Sequence, residues 1–137
     1  MIDNCIFCKI IDGKLPSYKI YENEHAIAFL DINPINPGHV LVIPKKHFKT
    51  LNEMDENPGI ELFKTVMHIE KVVAESGCVG TNVFQNNGKQ AGQEIEHVHF
   101  HIVPRYPDDS FRFKFKKTTV SEEMMKYSFD YYRSKLT

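Results

Sequence analysis

The sequence predicts an α+β fold: an antiparallel sheet of about five strands, one long helix and a C-terminal helix. Short apolar runs rich in β-branched and aromatic residues are separated by turn residues at hairpin-like spacing. A single long stretch follows the helical period instead. The resulting order is strands, helix, strands, helix, which suits an antiparallel sheet with segregated helices better than a parallel α/β sheet.

The chain of 137 residues fits one domain, residues 1–137, large enough for a real core. No internal repeat, low-complexity segment or linker interrupts it. Residues 5–13 read as a short turn or helix closed by Gly13, and Pro16 forbids its continuation. Residues 18–21 form a short strand, and residues 26–32 (AIAFLDI) a buried one. In residues 33–38 (NPINPG) two prolines and a glycine break any ladder. Residues 39–44 (HVLVIP) make the next strand, followed by a basic turn at Lys45 and Lys46.

The long helix is expected to start with Asn57 as cap and Pro58 at its first position, and to end near Gly77. Ile60, Phe63, Val66, Met67 and Val73 make its apolar stripe, and His68 is a surface or boundary residue. Residues 81–85 (TNVFQ) return as a strand, and a polar glycine loop covers 86–92. Ser121 caps the last helix, with Glu122 and Glu123 in its first turn, and Phe129, Tyr132 and Leu136 are expected to dock its apolar side.

Composition excludes several classes of function. Seventeen basic residues stand against 18 acidic ones, so net charge drives binding neither to nucleic acid nor to a membrane surface. No apolar run is long enough to span a bilayer. The start, MIDNCIFCKI, lacks the basic and apolar regions of a signal peptide. Three cysteines make a poor extracellular disulfide framework. A cytoplasmic protein with reduced thiols is expected.

The segment HVHFHIVPR carries the functional signal. His97, His99 and His101 alternate with Val98, Phe100 and Ile102, and Val103 follows. On a strand, alternate side chains share a face about 6–7 Å apart. All three imidazoles are therefore expected to line one face, close enough to act on a single small substrate or ion. Imidazole titrates near pH 6.5, so it can be base, nucleophile or cation. A lone strand histidine reads as packing; three on one face, with Val98 and Phe100 on the other, do not.

These residues resemble the histidine triad (HIT) family of nucleotidyl hydrolases and transferases. The motif H-x-H-x-H plus two apolar residues is met by His97, His99, His101, Ile102 and Val103. AFLDINPINPGHVLVIPKKH, CIFCKII and the loop ending in Ala91, Gly92 and Gln93 are similar too. The resemblance covers roughly residues 4–106, leaving 107–137 as a C-terminal extension, and is nearest the bacterial Hint-like branch. It implies a HIT-like fold and a homodimer joined through the long helix and a sheet edge. It also implies a nucleotidyl-histidine formed on His99, the central imidazole, and then hydrolysed by water. By the same match His101 and His39 hold the α-phosphate, and Asn86 and Gln93 lie near the phosphate and leaving group. Asp31 is implied as ribose ligand and Ile32 as an apolar wall for the base. Read without the resemblance, Asp31 is a strand-end cap.

One position departs from the family pattern: Glu94 stands where Hint-like members carry serine or threonine near the leaving group. An ionised carboxylate cannot donate there and repels phosphate.

Cys5-x-x-Cys8 has the spacing of many structural zinc sites, with two further ligands to come from elsewhere. The alternative is two reduced thiols packing under the N-terminal turn. The resemblance places the other ligands at His47 and His97, giving a closed, structural Cys₂His₂ site. Cys78 is a small apolar residue, and His25 an exposed strand-edge one.

The leading expectation is a hydrolase cleaving the P–N bonds of purine nucleoside phosphoramidates, AMP or GMP derivatives, with no catalytic metal or organic cofactor. A Fhit-like dinucleoside polyphosphate hydrolase shares the same site residues. Two other classes are a metalloenzyme with zinc on all three triad histidines and a nucleotide-binding module without turnover.

Overall fold

The computed structural model describes residues 4–110, 112 and 114–137; residues 1–3, 111 and 113, at the chain start and in the C-terminal extension, lie outside the description. The elements run α1 (Ile6–Ile11), β1 (Lys19–Glu22), β2 (Ala26–Leu30), β3 (Val40–Pro44), α2 (Glu56–Ala74), β4 (Gly80–Gln85), β5 (Phe100–Arg105) and α3 (Glu122–Leu136). The strands form one sheet in the order β1-β2-β3-β5-β4, with every neighbouring pair antiparallel. The α+β expectation of five strands with a long and a C-terminal helix is met.

β2 and β3 are buried on both faces, which is why each reads as a continuous apolar run without alternation. One face gathers Ala26, Ala28, Val40, Val42 and Ile102 against Leu62, Val66, Ile69 and Val73 of α2. The small alanines let the helix approach, and each buried α2 side chain contributes about 1.5–3 kcal/mol. The opposite face carries Ile27, Phe29, Leu41 and Ile43, packed with Cys5, Phe7 and Cys8 at α1. The register aligns Leu41 with His101 and His101 with Phe84, so α1 and the inward histidine share a side of the sheet.

Several boundaries shift. Asp55, not Asn57, occupies the cap position of α2, and Pro58 falls at the third helical position. Pro58 is harmless there because first-turn N–H groups have no intrahelical partner. The helix ends at Ala74, and Gly77, at φ +97°, turns the chain toward β4. β2 stops at Leu30, so Asp31 leaves the ladder, although its N–H still reaches the His39 carbonyl at 2.9 Å.

The C-terminal helix forms as expected, with the Ser121 hydroxyl accepting from the Met124 N–H at 3.1 Å. Its expected docking does not occur. None of its residues is buried, and Phe129, Tyr132 and Leu136 are all exposed. Both faces of the sheet are already covered, by α2 and by α1 with its neighbouring cavity.

Candidate active site and metal centre

The three imidazoles lie on the side of the sheet opposite Val98 and Phe100, and Phe7 touches both His97 and His99, but they do not serve one cavity. β5 begins only at Phe100, because the chain bends over residues 95–97. The His97 N–H turns back to the Ile95 carbonyl at 2.9 Å, and the Val98 N–H reaches Phe48 at 2.8 Å. His97 therefore faces the two cysteines, while His99 and His101 line a cavity of about 490 Å³ that His97 does not enter. The expectation that all three converge on one substrate or ion is corrected, and with it the reading of a zinc held by all three.

Carbonyl oxygens only accept, and this fixes the protons. His99 Nδ1 lies 2.7 Å from the His97 carbonyl, so Nδ1 carries the hydrogen and Nε2 keeps its lone pair. The Ile35 N–H donates to His39 Nδ1 at 3.0 Å, so neutral His39 holds its proton on Nε2. That proton is directed to His101 Nδ1, 2.9 Å away, which leaves His101 with its own proton on Nε2. Burial lowers all three below the usual imidazole value; His101 falls to about 3, helped by His99 and His39 nearby. At neutral pH the site thus presents neutral imidazoles in defined tautomers.

Asp31 lines the same cavity. One carboxylate oxygen accepts the Asn33 N–H at 2.9 Å and the other lies 3.7 Å from His39 Nε2. It caps the loop and lines the cavity at once. Asp31, His39 and His101 also approach as a possible ligand group. Of the three, only His39 and His101 share a hydrogen bond; the Asp31 carboxylate stands 3.7 Å from His39 Nε2, beyond hydrogen-bond distance. Ile32, 75% exposed, and Asn86 also line the cavity. Gly92, at φ +96°, lets the loop close on Asn86, since an added Cβ would meet its amide nitrogen at 3.3 Å.

Gln93 is not brought into the cavity. Its amide nitrogen donates to the carbonyls of Lys49 (2.6 Å) and Ile95 (3.0 Å), and its oxygen accepts the Gly88 N–H at 2.7 Å. With its amide occupied by backbone, it pins the glycine loop rather than facing a phosphate. Two aromatic residues were missed by sequence reasoning. Phe84 stacks on His101 with centroids 4.4 Å apart and planes within 9°. Phe7 sets its edge against His99 at 5.1 Å. The available signal for Phe84 was strand alternation in TNVFQ, which puts it on the inner face opposite His101.

The cysteine spacing leads to a second site. Cys5, Cys8, His47 and His97 place one ligand atom each within 4.8 Å of one another. Tetrahedral zinc with ordinary bond lengths requires S···N edges of about 3.6 Å and an N···N edge of about 3.3 Å. The Cys5–His97, Cys8–His47 and Cys8–His97 separations are 3.4, 3.3 and 3.7 Å, and the two Nδ1 atoms stand 3.1 Å apart. His97 Nε2–H donates to the Pro44 carbonyl at 2.9 Å, which turns the Nδ1 lone pair toward the sulfurs. Donor chemistry and spacing fit zinc with no open position. Cys78 takes no part: its thiol donates to the Val73 carbonyl at 3.3 Å. His68 is exposed, its ring edge-on to Tyr21 at 5.1 Å.

Comparison with known proteins agrees with this geometry. The HIT domain family matches residues 12–108. An uncharacterised HIT-like protein of Methanocaldococcus jannaschii is 50% identical over 111 residues, covering 81% of this chain and 86% of that one. An adenosine 5′-monophosphoramidase of Schizosaccharomyces pombe is 41% identical over 108 residues, covering 79% and 78%. The crystal structure of a HIT family member from Bacillus subtilis superposes with a TM-score of 0.90 at 39% identity, covering 98% of this chain and 99% of that one. The match of the domain over residues 12–108 and of the whole fold makes this chain a member of the HIT family.

Proposed function

We propose that the protein is a nucleotide hydrolase that cleaves the P–N bond of purine nucleoside phosphoramidates through a nucleotidyl-histidine on His99. The observation that carries this reading is the His97 carbonyl on His99 Nδ1, which leaves Nε2 as an unprotonated nucleophile inside the cavity. Nε2 attacks the α-phosphorus, the P–N bond breaks, and the amine departs. Water then attacks phosphorus and releases His99. In the first step the departing amine takes up a proton from solvent; in the second, water adds its hydroxyl to phosphorus and returns a proton to solvent, so the two steps balance. His101 Nε2–H is free to donate to a phosphate oxygen, and His39 holds it in that tautomer. Asp31 accepts from the ribose hydroxyls, and Ile32 offers an apolar wall to the base. The relative named as an adenosine 5′-monophosphoramidase supports hydrolysis of this kind.

In the same reading, Cys5, Cys8, His47 and His97 hold a structural zinc that ties α1 to the segment carrying His99. The protein acts as a two-fold dimer joined through α2 and the β4 edge, where Ile60, Phe63, Met67 and Val83 are exposed. Intact-mass spectrometry of protein quenched while turning over an AMP amide tests the mechanism. A nucleotidyl adduct on wild type, lost in His99→Ala, is expected; tight AMP binding with neither adduct nor turnover would make the protein a binding module.

A further inference from the structure

The charges around the cavity are of one sign. Its titratable lining consists of Asp31, Glu94, His39, His99 and His101, and among the described residues no lysine or arginine lines it. Nδ1 of His99, both ring nitrogens of His39 and Nδ1 of His101 are already engaged by backbone or by one another. The carboxylates come from different loops. Asp31 follows β2 and is engaged by the Asn33 N–H, whereas Glu94 precedes β5 and has no hydrogen-bond or ion-pair partner among the described residues. Lys49 pairs with Glu96, its ammonium 3.6 Å from that carboxylate. Glu94 is exposed and also borders a second, smaller cavity of about 230 Å³ with Ile95 and Glu96. Both carboxylates line the same cavity as the attacking ring of His99.

We propose that Glu94 sorts substrates by the charge of the leaving group, favouring phosphoramidates whose departing amine carries a second, cationic group and disfavouring anionic leaving groups. This rests on the hydrolase reading above and narrows its substrate class. With the ribose at Asp31, the remaining carboxylate of the lining is the one at Glu94, and no described residue pairs with it. A polyphosphate or carboxylate-bearing leaving group meets a negative rim, while an alkylammonium meets a partner. Between partly hydrated charges several ångströms apart, each sign of this effect is worth a factor of about two to five, so cation and anion should separate by about five- to twentyfold. The same field counts against a dinucleoside polyphosphate as preferred substrate, because its leaving group is a nucleotide anion.

Three AMP amides of nearly equal size test this: the 2-aminoethyl amide, the propyl amide and the carboxymethyl amide. Wild type should follow the order cationic, neutral, anionic in kcat/KM. Glu94→Gln should bring the cation-to-anion ratio down about five- to twentyfold, toward unity, and Glu94→Lys should reverse it. Raising ionic strength should shrink the ratio in wild type and leave that of Glu94→Gln alone, since exposed charges are screened. The salt series on wild type decides the question even if a variant fails to fold. Turnover of all three amides without charge order, or an order that survives Glu94→Gln, overturns this inference and leaves the hydrolase reading standing. Turnover of none overturns both.

Discussion

His39 Nε2–H meets His101 Nδ1 at 2.9 Å, and the Ile35 N–H on the far nitrogen of His39 leaves that proton nowhere else to sit. Two imidazoles in such contact cannot both be charged without repulsion, and burial lowers both. Stability should therefore depend on pH in a defined direction. In the unfolded chain His101 takes up its proton near pH 6.5, and in the folded protein only at about 3. Between these values the unfolded state binds more protons, so stability falls as pH falls. The melting temperature should drop from pH 7 toward pH 4, and His101→Gln should flatten that slope. Acid also threatens the cysteine site, so the difference between wild type and variant is the quantity to measure. Equal slopes would show that His101 is not held neutral by the fold.

His99→Ala should abolish turnover of an AMP amide while AMP still binds. Removing a covalent nucleophile commonly costs several orders of magnitude in rate. Calorimetry with AMP and a single-turnover assay separate the two properties. More than about a hundredth of the wild-type rate in the variant would remove His99 from the nucleophile's role.

Gln93→Ala should act on stability first. It strips partners from the carbonyls of Lys49 and Ile95 and from the Gly88 N–H. These partners are only part-buried and can turn to water, so each lost bond should cost about 0.5–1.5 kcal/mol. A lowered melting temperature with a raised KM, from a loosened loop near Asn86, is expected. A large fall in kcat at unchanged melting temperature would instead return Gln93 to the phosphate.

Gln93 also marks where sequence reading ran out. Its spacing before the triad was legible, but an amide serves backbone and substrate equally well, and only the positions of Lys49 and Gly88 decide between them. The triad behaved similarly. Alternation predicted a shared face, and His99 and His101 do share a cavity. The bend that delivers His97 to the cysteines depends on the Phe48 carbonyl, 50 residues upstream. β2 and β3 were legible because strands buried on both sides have no alternative but an apolar run. The Cys5-x-x-Cys8 spacing was legible because α1 needs only three residues to bring both sulfurs round; the Cys8 N–H bonds the Cys5 sulfur at 3.3 Å. The helix-period stripe of α3 was visible too, but amphipathicity states only that a face seeks cover, not that this chain supplies it.

Asp31→Ala should weaken AMP binding by about 1.5–3 kcal/mol, the usual worth of hydrogen bonds to a charged group. 2′,3′-Dideoxy-AMP, which lacks the hydroxyls, should lose far less. The carboxylate also accepts the Asn33 N–H, so some loss of stability is expected with either ligand absent. Equal losses of affinity for the two ligands would assign Asp31 to the loop alone.

Zinc should be measurable in protein purified without chelator, near one equivalent per chain, and should be lost on acidification. The ligand thiols must be deprotonated to bind metal, and burial pushes the Cys5 thiol up, so metal has to supply what desolvation opposes. Because the four ligands meet only in the folded chain, binding free energy is also folding free energy. Chelation, or Cys5→Ser with Cys8→Ser, should therefore lower the melting temperature. Activity should fall less steeply, since His97 holds His99 through its backbone carbonyl and its ring remains bonded to Pro44. A metal-free variant that melts lower but still turns over an AMP amide is the expected outcome. Metal content near zero in wild type, with melting unchanged by chelator, would make Cys5 and Cys8 two reduced thiols packed beneath α1.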